Sequence, residues 1–408
     1  VKPHVASVVT PSRSEFTPSR LRAHLTILAA VLWLVAAGDV ATTSRYMRTG
    51  QVKGTDFVHF YTLAYLSAHG RADKFADLSV QRAEQIELVP ESQKDWYPPA
   101  YGPQVALALT PLGFLSYEHA LLVWIALTSA VYLGLIVVLT RRTTHLRAHL
   151  GLVALAAIAY PPFWNLIIHG QLSIVAVGSV ACAYLALAGD RRWLAGAALG
   201  VLAYKPPLAI PALAVLVFAR EWRASAGWLV TAVIQLFVAA VVLGPGTLLA
   251  YKELLFGSRR LAEILLSKPA QMHSLRAFWV LLIPNATLAL VVYAISAGLA
   301  IIAAVVIWRR TMNPALRMAA LVLATVLAAP HLYVYDVVLL APVWIWLTDW
   351  YLAQPALPAA FGRTLYVGYV APVLTVVAQS IHVQVSVLCF CALLWWLLTV
   401  LSSPAHEA

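Results

Sequence analysis

The chain has 408 residues, 62% of them hydrophobic and 11% charged, with a mean hydropathy of +0.80. A soluble domain carries about 25% charged residues to keep its surface hydrated, so this composition excludes an ordinary soluble globular protein and points to an integral membrane one. The net charge of +11 falls in short clusters at the ends of apolar runs, which is the positive-inside pattern of membrane topology rather than the basic groove of a nucleic-acid binder.

Residues 1–24 read as a polar tail containing Arg13, Arg20 and Arg22. The apolar run from Leu25 to Ala37 lacks the small-x-small site of a cleaved signal peptide. It reads as a first spanning helix with its basic end, and hence the amino terminus, in the cytoplasm. Residues 41–98 then form a polar outer loop that holds seven of the chain's 17 acids. Of these, Asp73, Asp77, Glu84, Glu87 and Glu91 read as the solvated faces of short helices.

Further apolar runs follow from 99–116 to 384–401, which against the ~20 residues of a spanning helix predict about 11–13 transmembrane helices in one domain, 25–401. Two runs resist simple counting. If 99–116 crossed, the next run would carry Arg141, Arg142 and Arg147 outside, against Arg191/Arg192, Arg220/Arg223 and Arg309/Arg310, so 99–116 is expected to be short or re-entrant. The stretch from Arg192 to Arg220 is basic at both ends and gives only about 13 residues per arm as a hairpin turning at Lys205-Pro206-Pro207. Its tip would stop within the bilayer, and irregular backbone at that depth is tolerated only where it lines a polar cavity. A second outer segment, 244–278, has Lys252, Arg259, Arg260, Lys268 and Arg276 among leucines at helical spacing and reads as an interfacial amphipathic helix. Residues 402–408 form a short tail. Cys182, Cys389 and Cys391 lie in apolar runs and suggest neither a disulfide framework nor a zinc site.

Few residues remain to carry chemistry. Asp56, in Gly54-Thr55-Asp56-Phe57-Val58-His59-Phe60-Tyr61, is an acid among aromatics at a membrane interface, a setting that suits a general base; the bland alternative is a cap for the helix starting at Phe57. Tyr97-Pro98-Pro99 reads as the start of an interfacial helix, and His169-Gly170-Gln171 as a turn at the outer end of its run. Lys205 would place an ammonium inside the bilayer at a cost of roughly 2.5–3.5 kcal/mol, which marks it as functional, with an anion as its partner. Pro330-His331-Leu332-Tyr333-Val334-Tyr335-Asp336 joins two apolar runs and sets a His and an Asp five apart, with His331 at the outer boundary and Asp336 a turn or more deeper; the bland alternative is a polar kink. The spacing of His331 and Asp336 is not that of a helical metal pair, and there is no phosphate loop, GxSxG or HExxH, so a metal-free site without cofactor is expected.

Taken in order, Asp56-Phe57, Tyr97-Pro98-Pro99 with Pro111-Leu112, Gly170-Gln171, Leu194-Ala195-Gly196 with Gly200 and Lys205-Pro206, Ser274-Leu275, and Pro330-His331 with Tyr335-Asp336 resemble glycosyltransferase family 87 over roughly residues 50–345. The resemblance implies an all-α polytopic membrane protein with a glycosyltransferase C-type fold and outer-face amphipathic helices. It further implies inverting, metal-independent transfer of a hexose, mannose by family precedent, from a polyprenyl-phosphate donor to a glycolipid or glycan acceptor on the extracytoplasmic face of the cell membrane. Asp56 matches the family's catalytic acid, Lys205 its cavity lysine and His331 its late-helix histidine. Chemistry adds Arg276 as a third cation for the leaving phosphate, and His59, Tyr97, His169, Gln171, Ser274, Tyr335 and Asp336 complete the expected substrate cavity. The segment before Ser274 departs from the family pattern, with Gln271 and Met272 where an Asn is common. A transporter or flippase of a lipid-linked sugar or other anion is the rival, since broken helices and a buried Lys also mark transport sites. Transporters usually show related halves, and no internal repeat is present here.

Overall fold

The computed structural model describes residues 17–74, 77–98, 100–257 and 265–401. The outermost tails, Pro99 and the stretch with Arg259, Arg260, Leu261 and Glu263 lie outside the described residues. Among the described residues the architecture is all-helical, with two isolated bridges, Tyr46 to Val52 and Met272 to Tyr333, in place of any strand.

Five helical segments are long and apolar enough to cross a membrane: Pro18–Val40, Tyr117–Arg141, Trp222–Leu243, Ala286–Arg310 and Val334–Ala353. Leu146–Ala159 and Pro161–His169 make a sixth if counted as one span bent by 52°, the bend falling where the two prolines that open the second helix supply no backbone N–H. Ser173–Ala188, Pro206–Phe218, Pro314–Ala328 and Val385–Val400 are apolar but shorter. Fewer runs than expected are therefore uninterrupted helices; 364–380, for example, is broken by a 3-10 turn at Ala371–Val373. Val334–Ala353 is central, 78% buried, whereas the other four long helices are 22–28% buried and turn side chains such as Leu34, Leu122, Phe237 and Leu299 outward.

Both irregular runs behave as the charge pattern requires. Residues 99–116 form only a seven-residue helix, Pro103–Leu109, and a 3-10 segment, Thr110–Phe114. They pack on the Phe57–Ala68 helix, with Tyr61 donating to the Leu115 carbonyl at 2.6 Å and Ser67 bonded to Thr110 at 2.6 Å. The Lys205 stretch is a hairpin. Its arms, Arg192–Gly200 and Pro206–Phe218, are joined by a 3-10 turn, Val201–Tyr204, and its two ends meet where Arg192 pairs with Glu221 at 3.2 Å. The first arm lies against Trp222–Leu243 through Gly196, where an added Cβ would fall 1.8 Å from the Ala224 carbonyl oxygen, and Gly227, where it would fall 2.2 Å from that of Trp193. Small residues let the two backbones approach this closely.

The basic clusters gather on one face. Glu221 also accepts from Trp308 Nε1 at 2.9 Å, Arg309 donates to the Phe218 carbonyl at 2.6 Å, and Asp349 accepts from the backbone N–H groups of Thr144, His145 and Leu146 at 2.7–3.0 Å. The opposite face carries the two polar segments. There Arg45 bonds Glu118 at 2.5 Å, and Tyr117 donates to the Lys53 carbonyl at 2.6 Å. Glu84 corrects the expectation of a solvated acid: it is 5% exposed and paired with Arg71 at 2.8 Å. In the second segment the Gly246–Gly257 helix buries Tyr251 and Leu254 and exposes Leu249 and Phe256, as an interfacial helix would.

Candidate functional site

On that opposite face lies a cavity of about 1060 Å³, walled by the start of Phe57–Ala68, residues 95–98 and 100–101, the His169–Gln171 turn, the hairpin tip, residues 265–271 and the 330–335 connection. Asp56 lies in its wall. The side chain makes no capping hydrogen bond to the helix that follows, so the cap alternative fails; instead Oδ2 accepts from Gln171 Nε2 at 2.6 Å. Gln171 is delivered by Gly170, which ends the Pro161–His169 helix at φ +58°. A side chain there would be strained, and its Cβ would lie 2.7 Å from that of Phe57, so glycine is what lets the turn close against the residue next to Asp56.

Lys205, 5% exposed, enters at the hairpin tip and donates to Asp336 Oδ1 at 2.6 Å. Asp336 is wholly buried and also accepts from Ser173 Oγ at 2.6 Å and from the Tyr333 backbone N–H at 3.1 Å. The lysine thus sits deep because its charge is matched. It also lies 5.5 Å from the Tyr335 ring centre and 5.9 Å from that of Tyr101, so its remaining ammonium hydrogens border the cavity beside two aromatic faces.

His59, Tyr97, His169, Gln171, Lys205, His331 and Tyr335 all line the cavity with Asp56. Neither ring nitrogen of His59 has a hydrogen-bond partner, although the residue is 5% exposed and stacked on Tyr101 with ring centres 5.8 Å apart. Burial, opposed by Asp56 and aided by Lys205, holds its pKa down at about 4. His331, with Nδ1 unpartnered, is likewise pushed down to about 4 by burial and Lys205, with Asp336 opposing. Both imidazoles are thereby held neutral at pH 7.

Three expected residues are not in the wall. Asp336 stands behind Lys205, Ser274 is fully buried, and Arg276 is half-buried near Tyr293 and His331 rather than lining the space. Others were missed. Tyr333 belonged to a motif already noted for its neighbours, Tyr101 follows two residues after Tyr97-Pro98-Pro99, and Lys268, which lines the cavity, was an undistinguished member of a basic segment. Ser173, two residues after Gln171, gave no signal, because its value lies in a bond to a residue 163 positions away. Among the described residues no three His, Cys, Asp or Glu side chains gather as a metal site.

Beyond the polar end the cavity continues along an apolar wall, Ile210, Pro211 and Ala214 on one helix and Ala297, Gly298 and Ile301 on another. Ile210 is 65% exposed, so this end opens toward the lipid-facing surface.

A family model described as glycosyltransferase family 87 matches residues 100–330, more than half of the chain. The matched span includes Tyr101, Gln171, Lys205 and Arg276, whereas Asp56, His59, Tyr97, His331, Tyr335 and Asp336 lie outside it. No curated protein and no solved structure matches the chain.

Proposed function

Since the chain belongs to glycosyltransferase family 87, and is therefore a multi-pass membrane glycosyltransferase acting on a sugar donor and an acceptor, we propose that it moves a hexose from a polyprenyl-phosphate to a glycolipid or glycan. In this reading the sugar is mannose, the transfer is inverting, and the cavity faces away from the cytoplasm. The observation that carries it is one continuous cavity with Asp56 at the polar end, Lys205 and His331 in its wall, and an apolar extension open toward lipid. A soluble nucleotide-sugar would leave that apolar wall unused; a prenyl chain fits it.

The chemistry then follows from the side chains. Asp56, oriented by Gln171, takes the proton from the acceptor hydroxyl as its oxygen bonds to the anomeric carbon. The bond from that carbon to the phosphate oxygen breaks, and the phosphate leaves with the electron pair. Lys205 meets the developing charge, with His331 donating an N–H and Lys268 or Arg276 adding positive potential. Retention through a covalent intermediate needs a second free carboxylate about 5–5.5 Å from the first. Asp336, being buried and bonded to Lys205, is not free to act as that nucleophile.

The test is release of polyprenyl phosphate and transfer of mannose by purified protein given polyprenyl-phosphate-mannose and candidate acceptors. Asp56→Asn, which keeps size and hydrogen bonding to Gln171, should reduce turnover by about 10²–10⁴-fold with folding intact. Retention of more than about a tenth of the wild-type rate would remove Asp56 as the base.

A further inference from the structure

On the basic face, away from the cavity just described, lies a crevice of about 360 Å³ between the first turns of Pro18–Val40, the Leu150–Ala159 helix, Ala341–Ala353 and Ala359–Val370. We propose that it binds one acyl chain of an anionic glycerophospholipid from the adjacent leaflet, with the headgroup held at the basic rim. This does not rest on the reaction proposed above.

The crevice wall is built to be dry. Its three deep tyrosines each turn the hydroxyl away into a backbone carbonyl: Tyr132 to Ala157 at 3.3 Å, Tyr160 to Val337 at 2.9 Å and Tyr369 to Ala156 at 2.7 Å. What they present inward, with residues such as Leu25, Val153 and Ile345, is carbon. A space lined mostly by carbon gives water few partners and suits hydrocarbon. Its depth matches one leaflet. From His149 at the rim to Tyr160 at the floor, a helical rise of 1.5 Å per residue gives about 16 Å, near half of the ~30 Å hydrocarbon core.

The rim selects the headgroup. Exposed Arg20 and Arg22 flank the lining residue Leu21, exposed Arg147 flanks Leu146, and His149 itself borders the opening. Against these three arginines stands one carboxylate among the described rim residues, Asp349, held by the backbone N–H groups of Thr144, His145 and Leu146. The mouth of an apolar slot is therefore positive, which complements an anionic headgroup at the depth where the phosphates lie. Each such cation contributes roughly fivefold to binding of an anionic lipid near the surface.

The purified full chain, in nanodiscs of phosphatidylcholine, would be offered phosphatidylglycerol or phosphatidylcholine bearing a diazirine in one acyl chain, and the cross-links mapped. Cross-links should fall on crevice-lining residues within 132–160 and 341–369, at least about fivefold more abundantly with the phosphatidylglycerol probe. The exposed double variant Arg22→Gln/Arg147→Gln should cut that preference at least about fivefold without changing the melting temperature. Val153→Trp, which fills the slot, should abolish crevice labelling by both; should it fail to fold, the map of the native protein and the arginine variant still decide. Equal labelling by both probes, labelling confined to outward helices such as Trp222–Leu243, or no response to the arginine changes would overturn the proposal.

Discussion

Lys205 and Asp336 offer a way to separate a structural ion pair from a substrate contact. Replacing Lys205 by Met strands a carboxylate that is wholly buried, and removing one partner of a buried pair costs about 3–5 kcal/mol. The low end is expected here, because Ser173 and the Tyr333 N–H still serve Asp336. Asp336→Asn alone leaves the ammonium without its counter-ion but beside the faces of Tyr101 and Tyr335. The double variant Lys205→Met/Asp336→Asn removes both charges and should return to within about 1 kcal/mol of wild type, a coupling energy of at least about 2 kcal/mol in the cycle. Unfolding in detergent measures that cycle, and polyprenyl-phosphate release measures turnover on the same preparations. If the pair only holds the hairpin tip to the Val334–Ala353 segment, the double variant recovers turnover along with stability. If Lys205 meets the leaving phosphate, stability returns and turnover stays down by about 10²–10³-fold, the usual loss on deleting one charge-stabilising donor. A double variant within tenfold of wild-type turnover would refute the assignment of Lys205 to the donor.

Gly170→Ala should cost more than about 1–2 kcal/mol and lower turnover at least tenfold by displacing Gln171, whereas Gly50→Ala, also at positive φ but with nothing within 4 Å, should leave turnover unchanged; enzyme assay of the pair checks this. His59, held at about 4 against an ordinary 6.5, binds fewer protons folded than unfolded between those values. Suppressing its protonation therefore costs no stability above about pH 6.5 and up to about 3 kcal/mol as the pH falls toward 4; melting temperatures across that window should fall less steeply in His59→Gln. For topology, cysteines placed at exposed Lys94 and Arg147 should be labelled from opposite sides of the membrane, with Lys94 outside; labelling of Lys94→Cys from the cytoplasm alone would invert the scheme.

Much of this protein could be read from its residues one segment at a time. Composition sets the solvent, since a chain with 11% charged residues has too little polar surface to face water all round, and the Arg pairs at the ends of apolar runs fix which ends share a face. The same logic located the hairpin at Lys205-Pro206, because two basic ends 28 positions apart on one side admit no single crossing. Scarcity did the rest: with 17 acids in the chain, an aspartate among aromatics stands out. What only the tertiary structure decided were the pairings between distant segments. Asp56 and Gln171 are 115 positions apart, and Lys205 and Asp336 are 131, and no local pattern links them. Sequence therefore placed Asp336 in the cavity and Arg276 in its wall, whereas packing puts one behind Lys205 and the other to the side. Hydropathy reports the free energy of moving a segment out of water, which belongs to each segment alone. Which charge neutralises which depends on how the helices are arranged around one another, and that arrangement is settled only when all of them have packed.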